Sequence, residues 1–327
     1  HISMQQDMIE NEKQCLYFQG LFLLPFPDTY DIEKYYKDLL DREKELEVTS
    51  IEGAVLGLLS CSYGCYGDLS KAYDFVLEAE KLTANSDDIF SQISVRSNRA
   101  ILERWIGRPR KTLELEEGIV EVMLQSGEFA QYFYDVQFRG NAQAEIGNIE
   151  EGIATLQHAI NIAEEFQMFF RIAALYNSLG YCYGEIYQSK KALPINQKGV
   201  EISQMLMEKY PAGKLQWAEM LAQSQINIIE NVYDQNNFDD ALSMIERLAE
   251  EMSSKDFSYV RHQWETRLYY NLAKISIEQN KIEKAHKIIQ DNLDFTKKRK
   301  MRKREGSFVH LLGKVQMHRN ELENATN

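Results

Sequence analysis

Four turn sequences recur at a fixed spacing: Gly67-Asp68-Leu69-Ser70-Lys71-Ala72, Gly107-Arg108-Pro109-Arg110-Lys111-Thr112, Gly147-Asn148-Ile149-Glu150-Glu151-Gly152 and Tyr187-Gln188-Ser189-Lys190-Lys191-Ala192, each 40 residues after the last. Each reads as a helix stop followed at once by a new amphipathic start. A compact domain does not repeat its punctuation so regularly, whereas stacked helix pairs must, because each pair can bury its apolar face only against the next. Small residues keep the same period. Gly140 precedes Gly152, Gly180 precedes Ala192, Ala273 precedes Ala285 and Gly313 precedes Ala325, always by 12. Residues of that size let paired helices cross closely. Beyond Ala192 the spacing stretches to 49 residues at Ala241 and 44 at Ala285 and returns to 40 at Ala325. The extra residues fall around Tyr210-Pro211-Ala212-Gly213 and Met252 to Phe257, where inter-repeat loops absorb insertions at little cost. Five prolines and no Val/Ile/Thr-rich alternating segment complete an all-α reading.

These residues resemble the tetratricopeptide repeat, whose first helix carries an aromatic, a Leu-Gly pair and a Tyr, and whose second carries Ala, an aromatic and Ala. Tyr176, Leu179-Gly180, Tyr183, Ala192 and Gly199 follow that pattern, and Gly140, Leu156 and Ala159 follow it in part. Arg99 and Arg139 stand at the usual Leu position, Asn196 replaces the second-helix aromatic, and the first repeat keeps only Gly20 and Ile32. The resemblance implies a right-handed α-solenoid with a period of about 40 residues. It spans 4–327 as one superhelical domain of about seven helix pairs plus the start of another. His1-Ile2-Ser3 ahead of Met4 reads as an expression remnant. Glu321 to Asn327 opens a second helix and stops without a polar cap, so the chain is expected to be cut from a longer protein.

A narrower resemblance lies in Leu175-Tyr176-Asn177-Ser178-Leu179-Gly180, Trp264-Glu265-Thr266-Arg267-Leu268 and Arg302-Lys303-Arg304-Glu305-Gly306 leading to Leu312-Gly313. These segments are similar to the C-terminal repeats of large prokaryotic signal-transduction ATPases of the STAND type, including those with an adenylate cyclase module. There the repeats sense an inducer or partner. The chain itself has no G-x-x-x-x-G-K-[ST] phosphate loop.

Nothing in the sequence converges on catalysis, and neither cofactor nor metal is expected. His158, His262, His286, His310 and His318 fall on different repeats without shared Ser, Cys or carboxylate partners and read as satisfied or surface side chains. Adjacent carboxylates such as Glu116-Glu117 and Glu164-Glu165 point about 100° apart on a helix and form a solvated face. Cys61 and Cys65 share a helix face, but no histidine stands near enough in sequence to complete a tetrahedral set. Four cysteines fit a reduced compartment. No apolar run is long enough to span a bilayer, and the stretch from Leu16 to Phe26 lacks the basic flank of a signal peptide. A cytoplasmic location is the expectation.

The function therefore rests on surfaces. The register puts Tyr134, Gln137, Asn141, Asn177, Tyr181, Gln223, Glu230, Tyr233, Tyr270 and Lys274 on the inner faces of first helices. That concave groove suits a protein, peptide or small-molecule effector. Asn141 matches the carboxylate clamp of co-chaperone repeats, but Gln137 stands where that clamp needs lysine. The leading expectation is a non-catalytic, partner- or ligand-sensing repeat region of a larger signalling protein, and the alternative is a free-standing adaptor that scaffolds a complex. The basic run Lys297 to Arg304 spans a helix end, where its charges complement the macrodipole; docking onto an acidic partner domain is its other reading. On a chain of net charge −13 this single cluster should not hold a polyanion. Titration with duplex DNA at physiological salt is expected to show no binding below micromolar concentrations, and tight, salt-sensitive binding would contradict the charge argument.

Overall fold

The computed structural model describes residues 34, 36–38, 41, 51–85 and 89–319. The first repeat around Gly20 and Ile32 and the segment from Glu321 to Asn327 lie outside the described residues. Every longer element among these residues is a helix: α1 Ile51–Cys65, α2 Leu69–Thr83, α3 Ile89–Trp105, α4 Pro109–Glu116, α5 Ile119–Ser126, α6 Phe129–Glu145, α7 Ile149–Glu165, α8 Phe169–Glu185, α9 Ser189–Lys209, α10 Lys214–Asp234, α11 Phe238–Glu251, α12 Arg261–Glu278, α13 Ile282–Lys298 and α14 Arg302–His318. Single 3₁₀ turns at Pro211–Gly213 and Lys255–Phe257 occupy the two insertions. First helices α1, α3, α6, α8, α10, α12 and α14 pack in sequence, each against the next, and second helices cover them from outside.

The recurring turns are one structure repeated. Two residues past the end of each first helix stands a residue in the left-handed region: Gly67, Gly107, Gly147, Tyr187, Asn236 and Asn280. Its N–H and that of the next residue return to carbonyls of the last helical turn, as in Gly147 N to Ala144 O (3.1 Å) and Asn148 N to Gln143 O (2.9 Å). This closes the helix end and aims the chain backward into the second helix. Helix crossings explain the small residues. A Cβ on Gly152 would stand 2.6 Å from the Gly140 carbonyl, and one on Gly180 would collide with the Asn196 side chain. Asn196 replaces the usual aromatic because it works as a bridge: it accepts from Asn227 Nδ2 (3.0 Å) and donates to Asn231 Oδ1 (3.1 Å).

The departures from the motif also have physical accounts. Arg99 pairs with Glu80 on α2, and Arg139 with Glu121 on α5 (2.7 Å), so both reach the preceding second helix instead of filling the crossing. Counting the described pairs from α1–α2, the second differs from the simple period, because its second helix is split into α4 and α5. Gly118 turns left-handed between them (φ 77°), and Arg96 donates to the freed carbonyls of Leu115 (3.1 Å) and Glu117 (3.2 Å).

One feature was not expected: the solenoid closes on itself. The α1–α2 and α3–α4 turns meet the start of α12 and the α13–α14 junction, so the first and second pairs touch the sixth and seventh. Val260 N–H donates to Cys65 O (3.0 Å), Cys65 Sγ donates to the Tyr259 hydroxyl (3.4 Å), and Lys300 Nζ donates to Ser70 Oγ (2.9 Å). His262 corrects the expectation of satisfied or surface histidines. It is buried in this seam with both ring nitrogens unpartnered and Trp105 edge-on at 6.0 Å. Burial, with Arg299 adding to it, drives its pKa down to about 3, so the ring is neutral.

Tyr187 occupies the left-handed turn position with its side chain 82% exposed, so its conformation is strained without a packing return. Replacement Tyr187→Gly is expected to stabilise the protein by about 1 kcal/mol, read as a higher melting temperature.

Candidate functional site

Closure converts the groove into a cavity that is partly open to solvent. Its wall is built by inner-face positions three or four residues apart, the spacing that keeps side chains on one side of a helix. Six of the residues expected from the register, Tyr134, Gln137, Asn141, Asn177, Tyr181 and Gln223, line it. The other four do not. Glu230 lies behind the wall, accepting from Arg267 (2.6 Å) and Asn271 (3.1 Å). Tyr233, Tyr270 and Lys274 form a separate stack, with the ammonium 3.8 Å over the Tyr233 ring and 5.7 Å over that of Tyr270. They sit further along α10 and α12, past the cavity.

Arginine and lysine make up the part of the wall that inner-face Tyr, Asn and Gln did not suggest. Arg171 lies 4.5 Å over the Tyr134 ring and donates to Gln137 Oε1 (2.8 Å). The cation missing at Gln137 is thus supplied by the next repeat. Arg104 (2.8 Å) and Lys303 (3.0 Å) converge on Glu145, joining the second, third and seventh pairs. Burial opposes the Glu145 charge, but the two cations hold its carboxyl below the usual range. Tyr181 takes a bond from Lys303 Nζ (3.2 Å) and lies beneath Arg267 at 5.6 Å. Lys303 and Arg304 belong to the basic run, whose sequence reading needs correction. Lys297 and Lys298 occupy the last turn of α13 as expected. Arg302, Lys303 and Arg304 instead occupy the first turn of α14, where the macrodipole disfavours cations. Lys303 and Arg304 meet the cations of the earlier repeats only through closure, which no local sequence signal marks.

The wall has unused hydrogen-bonding capacity. Asn141 donates to Ser178 Oγ (2.9 Å) while its Oδ1 has no partner, and the Asn177 Nδ2 also has none, although both atoms are buried. Buried polar groups left so are rare in native proteins. Asn177 is fixed from behind, its backbone carbonyl taking a bond from Asn227 (2.9 Å). No group of three or more His, Cys, Asp or Glu side chains suited to a metal ion occurs among the described residues, and no described helix is long and apolar enough to cross a membrane.

Comparison with solved structures places this architecture. NprR in complex with its cognate peptide NprX superposes with a TM-score of 0.70 at 15% identity, over 97% of this chain and 87% of that one. The fold is that of a tetratricopeptide-repeat protein. A Rap protein complexed with competence and sporulation factor is also similar (TM-score 0.59, 12% identity, 88% of this chain and 81% of that one). So is the apo form of the quorum sensor NprR from B. thuringiensis (TM-score 0.59, 15% identity, 97% and 85%). No family model and no curated protein matches the sequence.

Glu219, on the cavity wall of this repeat protein, gives the site a measurable pH dependence. Burial pushes its carboxyl up to about 7, against the pull of Gln223 and Arg171. Between its ordinary 4.5 and about 7 the unfolded chain releases a proton that the folded chain keeps. Its stabilising effect is therefore whole below the lower value and lost as pH rises to the upper one. Glu219→Gln has no such proton, so its melting temperature is expected to gain on the parent's from pH 5 to pH 8. A constant offset would place the carboxyl at its ordinary value.

Proposed function

We propose that this chain is a non-catalytic sensing region of a signalling regulator, and that it binds a short peptide inside its closed cavity. The unmet amide groups of Asn141 and Asn177 on neighbouring repeats carry this reading. A small side-chain rotation that brings these buried atoms to the cavity surface lets a peptide backbone offer an N–H to one and a C=O to the other, and turning either side-chain amide over still leaves it one group to fill. Tyr134 and Tyr181 add contact area with little conformational freedom to lose. The enclosure favours a short ligand over a scaffolded partner, since a folded domain cannot enter a cavity walled by helices from both ends of the stack. The comparisons support the same reading. NprR is known in complex with its cognate peptide and Rap with competence and sporulation factor. The closed shape superposes better on peptide-bound NprR (0.70) than on its apo form (0.59).

The test is retention of peptides from a random heptapeptide pool after gel filtration, identified by mass spectrometry. A defined set is expected to co-elute. The double substitution Asn141→Ala, Asn177→Ala should weaken its binding at least about tenfold, with Glu165→Ala on an outer helix as the unaffected control. If no peptide is retained, the cavity is not a peptide site.

A further inference from the structure

The cavity is charged opposite to the molecule around it. Its lining holds five cations, Arg104, Arg171, Arg267, Lys303 and Arg304, against two acids, Glu145 and Glu219, in a chain of net charge −13. Two more acids, Glu185 and Glu230, stand near the wall without lining it and act on Arg267, and a cationic excess remains when they are counted. The excess has a location. Arg104 and Lys303 are paired with Glu145, and Arg267 with Glu230, while Arg171 is held by Gln137 and the Tyr134 ring.

Arg304 has no hydrogen bond or ion pair among the described residues, though it lies half-buried on the wall. Burial, the largest effect, and Arg267 as a like charge pull its pKa down, while Tyr181, Glu230 and Glu145 pull the other way without forming an ion pair with it. Both of those carboxylates are already paired, with Arg267 and Lys303. It also stands in the first turn of α14, where the helix dipole adds partial positive charge and each further cation is unfavourable. A guanidinium in such a place is stabilised by an anion that pairs with it bidentately, and a carboxylate fits that fork.

Taking the peptide reading above as its basis, we infer that the cavity selects a peptide bearing a carboxylate, which pairs with Arg304 beside the Lys303–Glu145–Arg104 bridge. The carboxylate is either an acidic side chain or the peptide's own C-terminus. Both present the same group to the same arginine.

Three heptapeptide pools, random among uncharged residues at the other positions, distinguish these sources: one amidated at the C-terminus with a single Asp, one amidated with Asn in its place, and one with Asn and a free C-terminal acid. Binding is measured by native mass spectrometry at physiological ionic strength. The protein is expected to retain peptides from one carboxylate-bearing pool at least about tenfold more than from the neutral pool. Preference for the first pool identifies a side chain and preference for the third a terminus. Arg304→Gln should abolish the preference, Arg304→Lys should keep part of it, and the exposed Arg302→Gln should keep it all. The parent protein tests the selectivity without any variant, so a folding defect in Arg304→Gln leaves the inference exposed. Equal retention of all three pools, or a preference that survives in folded Arg304→Gln, overturns it while leaving peptide binding in place. Retention of none overturns both.

Discussion

The site depends on a close approach of backbone across the seam. A Cβ on Gly107 would stand 3.0 Å from the Lys303 backbone nitrogen, and one on Gly67 would stand 3.1 Å from the His262 ring. A side chain at either of these turns would press the early repeats away from the late ones by a few tenths of an ångström. The contrast with the remaining turns is instructive. Gly147 has the same left-handed geometry but open space around it, and the corresponding positions at 187, 236 and 280 hold Tyr, Asn and Asn. Left-handed backbone costs a non-glycine residue about 1–2 kcal/mol, a strain that a turn tolerates when nothing lies against it. A tight seam adds crowding that glycine avoids.

Closure also decides the electrostatics. Glu145 ends α6, Arg104 lies at the end of the neighbouring α3, and Lys303 begins α14, so their three-way bridge exists only where a distant pair meets two adjacent ones. Half-enclosed ion pairs of this kind add little net stability, because desolvation offsets the attraction, but they oppose any register that would separate them. His262 marks the apolar side of the same seam, an uncharged ring between Trp105 and the Gly67 turn. The seam thus combines backbone contact, an uncharged filling and a charged clasp. The clasp faces the cavity, where a ligand could act on it.

Much of the solenoid was legible along the chain, since a repeat writes its geometry locally. The Gly-start turns, the paired small residues and the two insertions all lie within one helix pair of the feature they determine. Tyr134, Gln137, Asn141, Asn177, Tyr181 and Gln223 came out on the cavity wall because first-helix register is a matter of helical periodicity. Glu230, Tyr233, Tyr270 and Lys274 share that register yet miss the cavity, which occupies only part of the length of α10 and α12. The break between α4 and α5 did have a signal in Gly118, but a period built on intact second helices passes over it.

Sequence by itself determined the helix pairs, their boundaries and which faces turn inward, because propensity, turn chemistry and side-chain spacing act over a few residues. Tertiary structure alone decided that the superhelix closes, that Arg104, Glu145 and Lys303 meet, and that Arg304 is left unpaired inside. Those outcomes come from the small rotation between successive repeats summed over five of them. No local pattern encodes that sum, and a slight change at each interface would carry Lys303 far from Glu145 while leaving every repeat intact.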